Sequence, residues 1–364
     1  MVIGGGLAGL ISSYLLARKG FSVVLIEKKT YPFHRVCGEY LSNEVCDFLT
    51  RENLMPGGFE LPQIHTFLFS DTAGQSVSTP LDLGGFGISR YVLDDFLFRK
   101  VLEIGGEVKT GVQVESVEFN EKENRFKLDL AGGESLDADY VIGAFGKRSK
   151  LDKVLNRSFI EKRSPFIGVK YHIKSDFDRN SVALYNFEGG YCGVNAIEEA
   201  KSNLCYLGNR AHLRTYGSVE NMEREKLWKN PALKHFFTDS EFLFDKPEVI
   251  NEINFERKEP LENHILMAGD SAGLITPLCG NGMAMAIHAG KLAADAIKTG
   301  KSRQEIEDSY KTSWKSHFER RLWLGRKVQK LFGSNQASTF TRKLIQHVPF
   351  IARQLIRNTH GKPF

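Results

Sequence analysis

The sequence has little of what builds metal centres or disulfide frameworks. Its five cysteines (Cys37, Cys46, Cys192, Cys205 and Cys279) are an odd number, and none stands in a C-x-x-C pair. That argues against a disulfide scaffold and against a zinc site. The ten histidines are scattered, with no H-E-x-x-H and no clustered carboxylates, so no metal is expected. No G-x-S-x-G elbow is present, which removes the usual basis for a Ser-His-Asp hydrolase. No apolar run reaches the roughly 18 residues that span a bilayer. The opening residues have no charged lead-in and no small-residue cleavage site. No signal peptide is therefore expected, and the cytoplasm is the default location.

What remains is the composition of an ordinary globular enzyme, 41% hydrophobic and 26% charged, long enough at 364 residues for two domains. Charge is uneven. Lys301 to Phe364 carries 14 Lys+Arg against 4 Asp+Glu, which leaves the rest of the chain slightly acidic. No nucleic-acid motif accompanies the modest net charge of +5.

The first chemical signal is MVIGGGLAGLISSYLL. Gly4, Gly6 and Gly9 have the spacing G-x-G-x-x-G. Leu7, Leu10, Ile11, Tyr14 and Leu15 recur at helical spacing over about four turns, and Gly20 ends the pattern. FSVVLIEKK then reads as a buried parallel strand ending at Glu27. The order strand, glycine turn, helix, strand, acid is that of a dinucleotide finger. Gly4 permits the turn, Gly6 lets a pyrophosphate approach the backbone, and Gly9 lets the helix pack closely. Glu27 can accept ribose hydroxyls, which disfavours a 2′-phosphate there. The first strand is short, and the finger alone does not separate NAD from FAD.

A second stretch, HILMAGDSAGLITPLCGNGMAMAI (264–287), repeats the theme. A short strand over His264–Ala268 leads into Gly269-Asp270. Gly280-Asn281-Gly282 then opens an alanine-rich helix expected over Met283–Ile297. Backbone N–H groups at Gly282 and Met283 can stabilise negative charge on a ring carbonyl.

Gly269-Asp270-Ser271-Ala272-Gly273 with Pro277-Leu278-Cys279-Gly280-Asn281-Gly282-Met283 resembles the signature of the FAD-dependent monooxygenase and geranylgeranyl reductase superfamily. SRYVLDDFLFRK is similar to that group's R-x-x-L-D-x-x-L helix, whose arginine, here Arg90, lies against the flavin polyol and phosphates. HRVCGEYLS resembles the K/R-x-C-G-x-x-L-S segment of the reductase branch, through Arg35, Cys37, Gly38, Leu41 and Ser42. The resemblance spans roughly residues 1–300. It implies FAD as cofactor, with NADH or NADPH as candidate electron donor. The cofactor contacts it implies are Gly4, Gly6, Leu7, Ala8, Gly9, Glu27, Lys28, Arg35, Cys37, Gly38, Arg90, Val114, Gly146, Gly269, Asp270, Gly280, Gly282 and Met283.

The pattern also departs from that group. Phe145 precedes Gly146 where the aromatic hydroxylases carry Asp-Gly, which weakens any carry-over of their NADPH binding. The W-x-W-x-I-P motif of tryptophan halogenases is absent, arguing against halogenation. The reductases' Y-x-W-x-F-P is replaced by FEGGYCGVNAIE (187–198), so substrate specificity does not carry over.

The expected fold is α/β: a Rossmann-like FAD-binding domain, an inserted antiparallel-sheet substrate domain and a C-terminal helical segment. The FAD domain is assigned to 1–65, 88–165 and 255–300, and the substrate domain to 66–87 and 166–254. IGVKYHIK, SVALYNF, GYCGVNAI and NLCYLGN read as sheet strands. Residues 301–364 read as basic amphipathic helices interrupted by Pro349. They are either a cap packed on the substrate domain or a peripheral membrane contact, the latter giving membrane association as the alternative location.

Candidate catalytic residues are Cys37, Glu39 and Tyr40, as groups able to exchange a proton near the ring. Tyr191, Asn195 and Cys279 are candidates for the substrate pocket, while His172 and His212 read as structural. The expected function is FAD-dependent hydroxylation or oxidation of an apolar or aromatic small molecule. The alternatives are flavin-dependent reduction of an isoprenoid C=C bond and a flavin-binding partner protein without turnover.

Overall fold

Because Val2, Ile3, Leu25 and Ile26 are apolar on both strand faces, they can only be central strands. The computed structural model, which describes residues 1–276, 280–329 and 332–364, places them there. A six-stranded sheet runs in the order Leu261–Glu262, Ile265–Met267, Ile142–Gly143, Val2–Ile3, Val24–Glu27, Glu107–Thr110. It is parallel except for the hairpin at its Leu261 edge. The first strand is two residues long, yet it is paired on both sides, so its brevity does not cost it its place.

The finger helix occupies Leu7–Ala17, about a turn shorter than expected. Helix Gly282–Thr299 packs across it. A Cβ on Gly290 would lie 2.4 Å from the Ala8 carbonyl oxygen, so this crossing needs glycine. Two glycine stretches some 260 residues apart are thereby brought side by side.

A nine-stranded sheet forms the second layer, including Phe166–Lys174, Ser181–Phe187, Gly190–Ala196 and Ser202–Asn209. It is not wholly antiparallel: Ser181–Phe187 pairs in parallel with Gln63–Ser70, since these strands come from separate chain segments and need no hairpin. Gln63–Ser70 crosses the boundary drawn at 65/66. Tyr40–Ser42, assigned by sequence to the FAD domain, is this sheet's edge strand.

Behind the sheet, helices Val219–Lys226 and Pro231–Asp239 enclose Met222, Leu227, Leu233 and Phe236. Glu223 is buried there, its Oε1 accepting hydrogen bonds from Tyr206 (2.8 Å) and Tyr171 (3.0 Å). Burial pushes its pKa up to about 7. A folded pKa above the unfolded value adds stability that is complete at low pH and lost as pH rises through about 7. Glu223→Gln keeps the acceptor and removes the charge. We expect it to melt higher than the parent at pH 8, by the equivalent of about 1–3 kcal/mol, and the gain to vanish as pH falls below about 4.5 in thermal melts.

The tail is helical over Arg303–Val328, Asn335–His347 and Pro349–Thr359. Pro349 opens a helix instead of kinking one, since its missing N–H is harmless at N1. The expectation of a cap on the substrate domain needs correction for the first of these helices. Ile306, Tyr310, Trp314 and Phe318 are buried in the FAD-domain core, because the apolar stripe of Arg303–Val328 meets helix Gly282–Thr299. The second helix is tied to the large sheet by Arg342–Asp71 (2.8 Å) and Thr72–Asn335 (2.8 Å).

Candidate functional site

Between the two sheets lies a cleft of about 520 Å³. Every expected cofactor residue lines it except Gly9, whose place is behind the finger. Its two sides carry different chemistry. On the finger side, Glu27 Oε2 accepts from Gly5 N (2.8 Å) and Arg35 Nη2 (3.1 Å), and Oε1 accepts from Lys29 N (3.0 Å). Asp94, 2% exposed in its side chain, holds two arginines. Arg90 binds it through Nε and Nη2, both at 2.7 Å, and Arg35 through Nε at 3.0 Å. This fixes the Arg90 guanidinium beside Gly6, 3.6 Å from where a Cβ would stand.

Neither glycine-led helix is capped by a side chain or carries an acid in its first turn. Their first N–H groups therefore face the cleft with the positive ends of the helix dipoles. Open backbone at Gly6, two helix N-termini, a paired arginine and a carboxylate are the donor and acceptor set that a dinucleotide needs. The residues present fit FAD: phosphates at Gly6 and Arg90, ribose at Glu27, and the ring carbonyl edge at Gly282 and Met283.

The loop Ala144–Lys147 is held against Gly269–Ser271 despite lacking the Asp-Gly pair. Gly146 N donates to Ser271 Oγ (2.9 Å), and Lys258 Nζ donates to both the Lys147 and Asp270 carbonyls (2.8 Å each). Lys258 is 5% exposed and sits over Phe159 at 4.3 Å. Burial pushes its pKa down to about 8. Lys258 was not singled out by sequence, for nothing near it marks a buried cation. Since it joins two cleft-lining loops, Lys258→Met should weaken FAD binding about tenfold, the worth of one charged hydrogen bond. Parent affinity should fall as pH rises through about 8 while that of the variant stays flat, as read by flavin fluorescence titration.

On the other side the cleft is lined by Leu184, Tyr191, Leu207, Ile253 and Leu274, an apolar chamber. Tyr191, expected in a substrate pocket, lines this side of the cleft. Asn195 does not line the cleft. Its amide donates to the Glu39 carbonyl (3.3 Å) and the Ala196 carbonyl (3.2 Å), because its side chain points into the junction between the layers. Cys279 lies outside the described residues.

The proton-exchange candidates Cys37, Glu39 and Tyr40 all line the cleft. The Tyr40 hydroxyl donates to the Gly84 carbonyl (3.1 Å), and burial raises its pKa, so it keeps its proton. Glu39 needs correction. It is fully buried, accepts from Lys170 Nζ (2.5 Å) and from Arg90 N (2.8 Å) on Oε1, and meets His172 Nε2 at 2.6 Å on Oε2. Burial works to raise its pKa, but the Lys170 ammonium and the His172 hydrogen bond override that and hold it at about 2. A carboxylate so held does not trade protons at neutral pH; it is a clamp. Lys170 and His172 carry a signal in the sequence, being polar residues two apart on one face in the interior of a largely apolar strand.

The family model described as FAD binding domain matches residues 1–321. Among curated proteins, conditioned medium factor receptor 1 of Dictyostelium discoideum is 24% identical over 353 residues, 87% of this chain and 67% of that protein. Digeranylgeranylglycerophospholipid reductase of Methanosarcina acetivorans is 25% identical over 338 residues, 86% and 80% of the two chains. Among solved structures, PqsL of P. aeruginosa in complex with 2-aminobenzoylacetate superposes with a TM-score of 0.74 at 16% identity, over 93% of this chain and 97% of that one. The likeness is one of fold.

Proposed function

Because the chain belongs to this FAD-binding family and is a flavin-dependent oxidoreductase, we propose that it oxidises, by hydroxylation, an apolar or aromatic small molecule held in the Leu184–Leu207–Ile253 chamber. The observation that carries the proposal is the division of the cleft. Its charged and glycine-lined side suits the dinucleotide, and its other side offers apolar and aromatic walls, with Glu39, Glu248 and Glu252 the acids at their margin. PqsL, of the same fold, holds the aromatic molecule 2-aminobenzoylacetate.

Bound flavin supplies electron transfer and the activation of O₂. The chain's own residues do the rest. Arg90 and the helix N-termini neutralise cofactor charge. Leu184, Leu207 and Ile253 exclude water from the reacting carbon. Tyr40 presents a phenol that stays protonated across the neutral range.

A second reading is reduction of an isoprenoid C=C bond. Cys37 favours it, since this thiol lies on the cleft wall within the segment that resembles the reductase branch. Digeranylgeranylglycerophospholipid reductase is also among the relatives.

Anaerobic reduction by NADH against NADPH, followed by O₂ with apolar and aromatic candidates, separates the two. Substrate-accelerated reduction and an oxygenated product are expected. A saturated product formed without O₂ moves the assignment to the second reading. Flavin that neither NADH, NADPH nor dithionite bleaches overturns both.

A further inference from the structure

The last part of the chain combines two features that the chemistry above does not use. From Arg320 to Phe364 there are ten Lys+Arg and no Asp or Glu. The same segment carries the most exposed large apolar side chains of the described residues, Phe350 at 72% and Phe340 at 64%.

Helix geometry sorts these residues onto two faces. The inner face of Asn335–His347 is spent on the protein: Ile345 packs toward Phe69 and Leu184, and Arg342 is paired with Asp71. Ile356 of the next helix packs toward Tyr40 and Ile64. The outer faces are different. Phe340, Lys343 and His347 follow at i, i+3 and i+7 and are all exposed, as are Phe350, Arg353 and Arg357 on the next helix. Val348, 40% exposed, lies between them. Lys343, Arg353 and Arg357 make no ion pair among the described residues.

We propose that the outer faces of helices Asn335–His347 and Pro349–Thr359 dock on an anionic phospholipid bilayer. Phe340 and Phe350 would enter the headgroup–acyl boundary, with Lys343, Arg353 and Arg357 at the phosphates. Two arguments select this occupant. A basic segment without an acid of its own meets its complement in anionic headgroups, where each Lys or Arg adds attraction. An aromatic beside cations on a helix face is the pattern of interfacial binding. A second copy of the chain is disfavoured, because it would set the same positive surface against itself. Among the described residues no helix is long and apolar enough to cross a membrane, so the proposed contact is peripheral. The inference is independent of which oxidation the cleft performs.

The test is co-sedimentation of the full flavin-loaded protein with phosphatidylcholine vesicles, with and without about 30% phosphatidylglycerol, at about 0.1 M salt. Binding to the anionic vesicles is expected, and it should weaken with added salt. Phe340→Ser with Phe350→Ser should reduce partitioning at least about tenfold, and Lys343→Glu with Arg353→Glu by a similar factor. Flavin content should be unchanged, as none of these residues lines the cleft. Three results overturn the proposal: no binding to anionic vesicles, equal binding to neutral ones, or partitioning that neither pair of substitutions alters. A dimer seen by light scattering and lost in the phenylalanine variant also overturns it, by showing that a second copy covers this face.

Discussion

Gly9→Ala is expected to yield protein that purifies without flavin. A Cβ at this position would stand 2.0 Å from the Gly4 carbonyl oxygen and 3.2 Å from its carbonyl carbon. Both are backbone atoms, so no side chain can swing aside. Gly4 cannot retreat, because its own Cβ position lies 2.4 Å from the Ala144 carbonyl oxygen, on the neighbouring strand's exit loop. Gly4 also adopts φ +101°, which only glycine takes readily. The turn is thus clamped from both sides, and relieving the overlap moves the helix N-terminus that faces the phosphates. Overpacking of this kind costs about 1–3 kcal/mol in stability. Displaced N–H donors cost binding in addition, together about a hundredfold in FAD affinity. Gly6→Ala separates fold from site. Its Cβ meets only Arg90 Nη2, at 3.6 Å, so the apo protein should melt as the parent does while its flavin-to-protein absorbance ratio collapses. Stoichiometric flavin in either variant would sink the assignment of this turn to the phosphates.

The stretches from which a cofactor site could be expected are those in which chemistry constrains backbone. Gly4, Gly6, Glu27, Gly269 and Gly282 could be read because turn, approach and dipole demand particular residue types at fixed spacing, and all line the cleft. The strands 166–209 were legible for a related reason: alternation, with turn residues between. What could not be read is pairing across sequence distance. The parallel match of Ser181–Phe187 with Gln63–Ser70 leaves no local trace. Nor does the Lys258 bridge, formed from a lysine 12 residues from Asp270 and 111 from Lys147. Glu39 shows the limit most clearly. Beside Cys37 and Gly38 it reads as a functional acid, because the sequence shows its neighbours and conceals that Lys170 and His172 arrive from more than 130 residues away.

That buried triad predicts the largest loss of stability in the molecule. Lys170 and Glu39 are both 0% exposed, and the Glu39 carboxylate also receives Arg90 N, the first residue of helix Arg90–Glu103. Lys170 Nζ further donates to the Arg35 carbonyl (3.2 Å), so one ammonium fastens both ends of the segment Arg35–Glu39 that carries Cys37 along the cleft. Lys170→Met leaves a carboxylate without its cation in a dry site, and Glu39→Gln leaves an ammonium without its anion. Breaking one side of such a pair costs about 3–5 kcal/mol. Each single variant should therefore melt well below the parent, and the double variant should cost less than the sum of the two, a coupling that a double-mutant cycle reads directly. The acid limb gives an independent check. Glu39 is depressed to about 2 from its ordinary 4.5, so its contribution is present above about 4.5 and lost as pH falls toward 2. Without Lys170 the burial that opposes ionisation is no longer overridden, and the carboxyl takes up its proton at higher pH. Lys170→Met should accordingly lack the Glu39 share of the acid limb, its stability holding level or recovering between about pH 4.5 and 2, where the parent's falls. Coincident acid limbs in urea titrations, or strictly additive single variants, would remove the Glu39–Lys170 pair as the clamp on the Cys37 segment.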